Sequence, residues 1–151
     1  MDAMNEVYRL IGLVVNNSQV IEHNLAYGLS LHRIVSVFYE RDSIPIKEYE
    51  LIEEEAALLR KRMSEMTLGS VINFASDTKC FKPVLLKRLK SVLTERNYVI
   101  HQLILDQLEL NDQSIAAMTS YLRVVVDDTN ELNERLASRI RVLEKEYDAI
   151  V

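Results

Sequence analysis

The sequence predicts an all-α protein, an up-and-down bundle of about five helices with long first and last members. The 151 residues are 48% hydrophobic and 27% charged but include only three glycines and two prolines, so turn formers are scarce. Apolar residues recur at spacings of three and four along most of the chain, which is the period of an amphipathic helix. A chain of this length fits one hydrophobic centre, so we expect residues 1–151 to form a single domain.

The first helix is expected at residues 4–39, with a bend near residues 16–18. Its apolar row consists of Val7, Leu10, Ile11, Val14, Ile21, Leu25, Leu29, Val35 and Phe38. Residues 40–49 lose this period and include Pro45, which disfavours helix at Ile44, so they are interpreted as a connection.

A second helix is expected at residues 49–66. Its acidic residues come early and its basic residues late, as suits a helix dipole, and both charge runs are interpreted as a solvated face.

Three further helices follow. Thr67 is the expected N-cap of a short third helix, LGSVINFAS, and DTKCFKP is the loop after it. The fourth helix should run over residues 83–108, with Val84 and Leu108 among the residues that face inward. Asp112 is the expected cap of the last helix, whose heptad-like apolar stripe runs from Leu122 to Ile150. That stripe requires a partner, either the first helix or another subunit.

Charge and motif content exclude several classes of function. The net charge is −5 and the sequence pI is near 5.3, so only a local basic patch would attract a nucleic acid. Glycine-rich phosphate loops and dinucleotide fingerprints are absent. No leader or membrane-spanning stretch is recognised, and the single cysteine excludes an intramolecular disulfide, so a cytoplasmic setting without a membrane is expected.

The chain offers few groups for catalysis. His23 and His32 are nine residues apart and are not at a metal-binding spacing, so neither a metal nor a cofactor is expected. Cys80 lies in a predicted loop and is interpreted as incidental. What remains is the stretch ERNYVIHQ, residues 95–102.

Within that stretch, Asn97 and His101 are one helical turn apart on one face, so the amide could hydrogen-bond the imidazole and fix its tautomer. Arg96 is five positions from His101, about 140° around the axis, and flanks that face. Such a set suits RNA cleavage by the ribose 2′-hydroxyl, because a histidine can move the proton and an arginine can stabilise charge on phosphorus. By spacing alone, the favoured interpretation is an ordinary surface arginine at position 96 and a satisfied core-edge histidine at position 101, because arginine and histidine occur five residues apart often by chance. Tyr98 is expected to pack at the bundle edge.

A basic run leads into this stretch. Between positions 79 and 96 there are six basic residues and one acid, Glu95, in a chain that is otherwise acidic. Lys87, Arg88 and Lys90 from this run are the candidate RNA-binding residues. Glu22 in the first helix is a possible supporting residue, either as a partner for Arg96 or simply as a solvated acid.

The stretch ERNYVIH resembles the R-N-x-x-x-H form of the R-x4–6-H signature of the HEPN superfamily, whose members include RNase toxins and antiviral effectors. The likeness extends to MTLGSVINFAS upstream and covers about residues 66–104. The resemblance implies a HEPN-like bundle, a catalytic pair of Arg96 and His101, and Asn97 as the polar residue that orients them. The aromatic pair common after the histidine is replaced here by Gln102, Leu103 and Ile104, so the resemblance extends to the catalytic pair but does not define the substrate pocket.

The resemblance also implies a homodimer, because HEPN ribonucleases generally bring two such motifs together across a cleft. The function expected is a metal-independent endoribonuclease of toxin–antitoxin or phage-defence type, with an RNA substrate and an antitoxin or regulatory protein as a possible partner. The alternative is a non-catalytic module of the same fold that dimerises or docks a partner through the stripe of the last helix.

Overall fold

The computed structural model describes residues 2–41 and 44–150, and all its regular structure is helical. Five helices follow one another: α1 (Asp2–Tyr39), α2 (Ile46–Ser64), α3 (Leu68–Ser76), α4 (Pro83–His101) and α5 (Asp112–Ile150). The first and last helices have 38 and 39 residues, which corresponds to about 57 Å each. The predicted all-α class with long first and last helices is confirmed. In the described ranges, none of the helices carries an apolar stretch long enough to cross a bilayer.

The two long helices run in the same direction and pack along each other. Asn17 Nδ2 donates to Thr129 Oγ1 at 3.0 Å, and Asn24 Nδ2 donates to Asn133 Oδ1 at 3.3 Å further along both helices. Seven members of the predicted α5 stripe are buried: Leu122, Val125, Thr129, Leu132, Leu136, Ile140 and Leu143. The partner of the stripe is therefore α1 of the same chain, so another protein cannot dock on the stripe while the bundle is folded.

The helices α2 and α4 run opposite to α1 and cover its two halves. One core cluster joins Ile21 and Leu25 of α1 to Leu89 and Val92 of α4, together with residues of α3 and α5. A second cluster lies towards the N-terminus of α1, and its buried members are Val7, Leu10, Val14, Val99, Leu103, Met118, Leu122 and Val125. A third, smaller cluster joins Ile34 of α1 to Ile52 and Ala56 of α2.

One polar residue interrupts the apolar row on each of three helices, between the first two clusters. These residues are Ser18 of α1, Arg96 of α4 and Thr129 of α5, and we call them the polar layer. Ser18 Oγ donates to the Val14 carbonyl at 2.7 Å, and Thr129 Oγ1 donates to the Val126 carbonyl at 2.9 Å. The side-chain hydroxyls are therefore satisfied although both residues are buried. The bend predicted at residues 16–18 falls here, but α1 continues through it as one helix.

Helix α4 ends at His101, well before the predicted residue 108. The amides of Gln102 and Leu103 both donate to the Tyr98 carbonyl at 2.9 Å, so the regular pattern stops there and a turn follows. Leu103 still packs into the core, but Leu108 is fully exposed, and its predicted inward position is wrong. Val84 is also exposed, because it lies in the first turn of α4 at the edge of a groove.

The other predicted boundaries agree with the structure to within a few residues. Helix α3 has the predicted bounds, and Thr67 caps it by accepting from the Ser70 amide at 3.2 Å. Helix α2 starts at Ile46, directly after Pro45 and slightly earlier than expected. The cap of α5 is Asn111 and not Asp112. Asn111 Oδ1 accepts from the Ser114 amide at 2.9 Å, and the Asn111 amide donates back to Ser114 Oγ at 3.0 Å.

Candidate active site

Arg96 belongs to the row of α4 that faces the core. The buried residues Leu89, Val92 and Val99 lie on this row at spacings of three and four, and Arg96 occupies the position between Val92 and Val99. Arg96 is half-buried, and its Nε atom is shielded from solvent without a hydrogen-bond partner in the described part of the chain. The base of the guanidinium group is therefore enclosed in the polar layer.

Asn97 holds the other end of the Arg96 guanidinium at the surface. Arg96 Nη1 donates to Asn97 Oδ1 at 2.9 Å. Asn97 and His101 are both exposed and lie one turn apart on the same face of α4. The arginine therefore extends from the core row towards the face that carries the histidine. Among the hydrogen bonds of the described residues, none joins Asn97 to His101, so the amide orients the arginine and not the imidazole.

His101 is the last residue of α4, and its ring is open to solvent. It borders a shallow depression of about 280 Å³ that is lined mainly by apolar side chains, including Tyr8 and Ile11 of α1 and Ile104 and Leu105 of the following turn. The depression is too small to enclose a nucleotide. A single chain therefore supplies an accessible imidazole at the edge of an open surface.

A pair of carboxyl groups lies beside Arg96, and sequence reasoning missed it. Glu95 contacts Asp128 of α5, and Arg88 Nη2 donates to Asp128 Oδ1 at 2.8 Å. Burial, and then the adjacent Asp128 carboxylate, raise the pKa of Glu95 to about 7, while Arg88 opposes this. Glu95 Oε2 is enclosed and has no hydrogen-bond donor among the described residues, so protonated Glu95 can donate a hydrogen bond to the Asp128 carboxylate. The pairing depends on the tertiary contact between α4 and α5, which no local spacing reveals.

The structure does not bring Glu22 together with Arg96. Glu22 is half-buried on α1, and none of the ion pairs among the described residues includes it or Arg96. Glu22 follows Ile21, which belongs to the cluster of Leu89 and Val92, whereas Arg96 lies on α4 between that cluster and the one that includes Val99. The pairing considered for Glu22 is therefore absent from this arrangement.

The three candidate RNA-binding residues have different surroundings. Lys87 and Lys90 are exposed on the outer face of α4, and none of the ion pairs in the described ranges includes them. Arg88 is half-buried, and its charge is held by Asp128. Lys87 and Lys90 are thus placed to meet a phosphate, whereas Arg88 has a structural partner.

The remaining reactive side chains have structural surroundings of their own. Cys80 is buried, and desolvation raises the pKa of its thiol to about 12, which disfavours the nucleophilic thiolate. His23 is exposed and stacks on Tyr27. Tyr98 packs edge-on against Tyr121, with ring centroids 5.7 Å apart, as expected for a residue at the bundle edge. Within residues 2–41 and 44–150, no cluster of three histidine, cysteine or acidic side chains could hold a metal ion.

The arrangement as a whole presents an anchored guanidinium group and an accessible imidazole at one end of α4. Remaining N–H groups of the guanidinium can donate to an anionic oxygen, and the imidazole can accept or donate a proton. Comparisons of the chain with protein-family models, with curated proteins and with solved structures found no match.

Proposed function

We propose that the protein is a metal-independent endoribonuclease that acts as a homodimer in the cytoplasm, in toxin–antitoxin or phage-defence biology. Arg96 and His101 form the catalytic pair, and Asn97 positions Arg96. The observation that carries this proposal is the Arg96–Asn97 hydrogen bond, because it directs a half-buried charge to the helix face on which His101 is exposed. The resemblance of residues 95–101 to the HEPN signature supports the same pair.

The chemistry assigns a role to each group. The ribose 2′-hydroxyl loses its proton to an imidazole and attacks the adjacent phosphorus, and the 5′-oxygen of the next nucleotide leaves with a proton from an acid. The products are a 2′,3′-cyclic phosphate and a 5′-hydroxyl. The guanidinium stabilises the extra negative charge on the phosphoryl oxygens in the transition state. One imidazole cannot accept and donate at the same moment, so two copies of His101 in one composite site satisfy the reaction.

A second candidate function is a non-catalytic module of the same fold. One observation favours it, namely that Arg96 lies in the polar layer with its Nε enclosed, as a purely structural arginine would. The α5 stripe is covered by α1, so such a module would have to bind its partner through another surface. The exposed apolar side chains near His101, Tyr8 and Leu105, are available for that purpose.

Cleavage of RNA by the purified protein in the presence of a chelator tests the proposal. We expect the wild type to cut single-stranded RNA and leave a 2′,3′-cyclic phosphate, and we expect Arg96→Met and His101→Ala to abolish the cut. Arg96→Met is preferred to Arg96→Ala because methionine keeps the length that packs in the polar layer. The control is Arg62→Ala on the exposed surface of α2. No cleavage by the wild type would favour the module, and cleavage that survives in both site variants, with helicity unchanged, would rule out Arg96 and His101 as the catalytic pair.

A further inference from the structure

We propose that the groove between the start of α4 and the middle of α5 holds one nucleotide of a single-stranded RNA, several nucleotides from the bond that is cut. This inference rests on the proposed function, because it assigns a subsite to the same substrate. The groove has a volume of about 690 Å³. That size lies within the range of pockets that enclose small ligands. We call it the α4–α5 groove.

Positive charge surrounds the α4–α5 groove. Lys79, Lys82, Arg135 and Arg139 line it, and none of the described residues that line it is acidic. Such a concentration stands out in a chain whose net charge is −5. Low-dielectric walls focus the field of charges at a concave surface, so the groove attracts anions although the whole protein repels them.

Two of these cations are held in place from α5. Arg139 Nε donates to the Cys80 carbonyl at 2.7 Å, which fixes its guanidinium group against the loop before α4. Arg135 pairs with Glu131 one turn away at 2.8 Å, and both side chains are about half exposed. An exposed pair of this kind contributes little free energy, so Arg135 can exchange Glu131 for a phosphate at small cost.

An apolar surface lies beside the charges. Pro83, Val84 and Leu85 line the groove, and the Val84 side chain is 72% exposed. The N-cap residue of α4, Lys82, makes no side-chain capping bond, so its ammonium group is not engaged in capping the helix. The apolar face of a flat ring can pack on this surface while an anionic group joined to the ring meets the cations. A nucleotide combines such a ring with a phosphate.

The groove is connected to the candidate active site by one row of α4. Lys87, Lys90, Asn97 and His101 are exposed and recur at the helical period along the outer face. From Pro83 to His101 this row is about 27 Å long. A stacked strand advances about 3.4 Å per nucleotide, so the row matches about eight nucleotides, or fewer if the strand is extended. An RNA strand would therefore contact Lys90 and Lys87 between His101 and the α4–α5 groove.

RNA binding to a protein that cannot cut tests this inference. In the His101→Ala background, the double variant Lys82→Ala/Arg135→Ala removes two groove cations. Its matched control is Arg62→Ala/Lys145→Ala, which removes two exposed cations outside the groove. The measurement is the Kd for a fluorescent RNA of about twelve nucleotides, followed as a function of salt by anisotropy.

We expect the groove variant to raise Kd about tenfold and to reduce the slope of log K against log salt by about 0.7, because the groove holds one nucleotide and each lost phosphate contact removes about 0.7. The control variant should leave both quantities close to those of the background protein. An equal loss in both double variants, or no loss in either, would overturn the inference. RNA cleavage by the wild type is measured separately. If the groove variant binds RNA more weakly but the wild type does not cut RNA, the ribonuclease proposal is refuted and the groove proposal stands. If the wild type cuts RNA but the groove variant binds RNA as tightly as the background protein, only the groove proposal is refuted.

Discussion

Arg96 and Asn97 are neighbours in the sequence, and their side chains are joined as well, since Arg96 Nη1 donates to Asn97 Oδ1 at 2.9 Å. Two consecutive helical residues point about 100° apart, so this contact requires the long arginine side chain to bend from the core row towards the outer face. The hydrogen bond fixes where the guanidinium ends. The position of the charge is thus set by Asn97, although Arg96 carries it.

Asn97→Ala should lower the rate of RNA cleavage about 10-fold to 100-fold, because a hydrogen bond to a charged group contributes about 1.5–3 kcal/mol. If Asn97 acts through Arg96, kcat falls while the pH dependence of cleavage keeps its shape. A change in the pH profile with an unchanged kcat would instead show that Asn97 acts through His101. Thr94→Ala, on the same exposed face, is the matched control and should cleave as the wild type does.

Arg96→Met should leave the free energy of unfolding unchanged or raise it by about 1 kcal/mol. The substitution removes an enclosed Nε that has no partner among the described residues and replaces it with an apolar chain between Val92 and Val99. Urea denaturation followed by circular dichroism measures the change. A loss of about 2 kcal/mol or more would mean that Arg96 stabilises the polar layer, and the loss of cleavage in this variant would then have a structural explanation.

Glu95→Gln should stabilise the protein at pH 8 relative to the wild type and have little effect at pH 4. The folded state raises the pKa of Glu95 from 4.5 to about 7, so the native protein binds more protons than the unfolded chain between these values. Stability therefore falls as the pH rises through this window, and the penalty is fully present above it. The neutral amide of the variant would resemble the protonated acid and remove this penalty. After solvent screening of a half-buried group is considered, the free energy of unfolding at pH 8 should rise by roughly 1 kcal/mol.

Thermal unfolding of the wild type and Glu95→Gln at several pH values between about 4 and 8.5 follows this difference. Glu131→Gln is the control, because Glu131 is an exposed acid on α5 whose partner is one turn away. A difference that is constant across the pH range would show that Glu95 titrates in the folded protein as it does in the unfolded chain.

Periodicity was sufficient to predict the helices of this protein. Rows of apolar residues at spacings of three and four identified α1, α4 and α5, and Thr67 marked the start of α3 correctly because N-capping is a local interaction. The end of α4 was not predicted, because the apolar period continues through Leu108 while the chain turns at Gln102. Burial on the far side of a turn cannot be read from spacing alone.

The candidate site was predictable only in part. The residues Arg96, Asn97 and His101 stand out by type and spacing, but the direction of the Arg96 side chain depends on the row that α4 turns towards the core. The Glu95–Asp128–Arg88 group and the α4–α5 groove are both formed by contacts between α4 and α5, and the pair of Arg88 and Asp128 spans 40 positions of the sequence. No local pattern predicts such contacts.

The composite site is tested most directly by cleavage of RNA with wild-type and His101→Ala chains in one mixture. The two proteins are combined in equal amounts under conditions that let subunits exchange, and the rate is compared with that of the wild type at the same total concentration. If one site needs His101 from both copies, only wild-type dimers are active, and about a quarter of the wild-type rate should remain. A rate of about one half would show that each chain acts alone, and full activity of the His101→Ala variant alone, or no cleavage by the wild type, would contradict the ribonuclease itself.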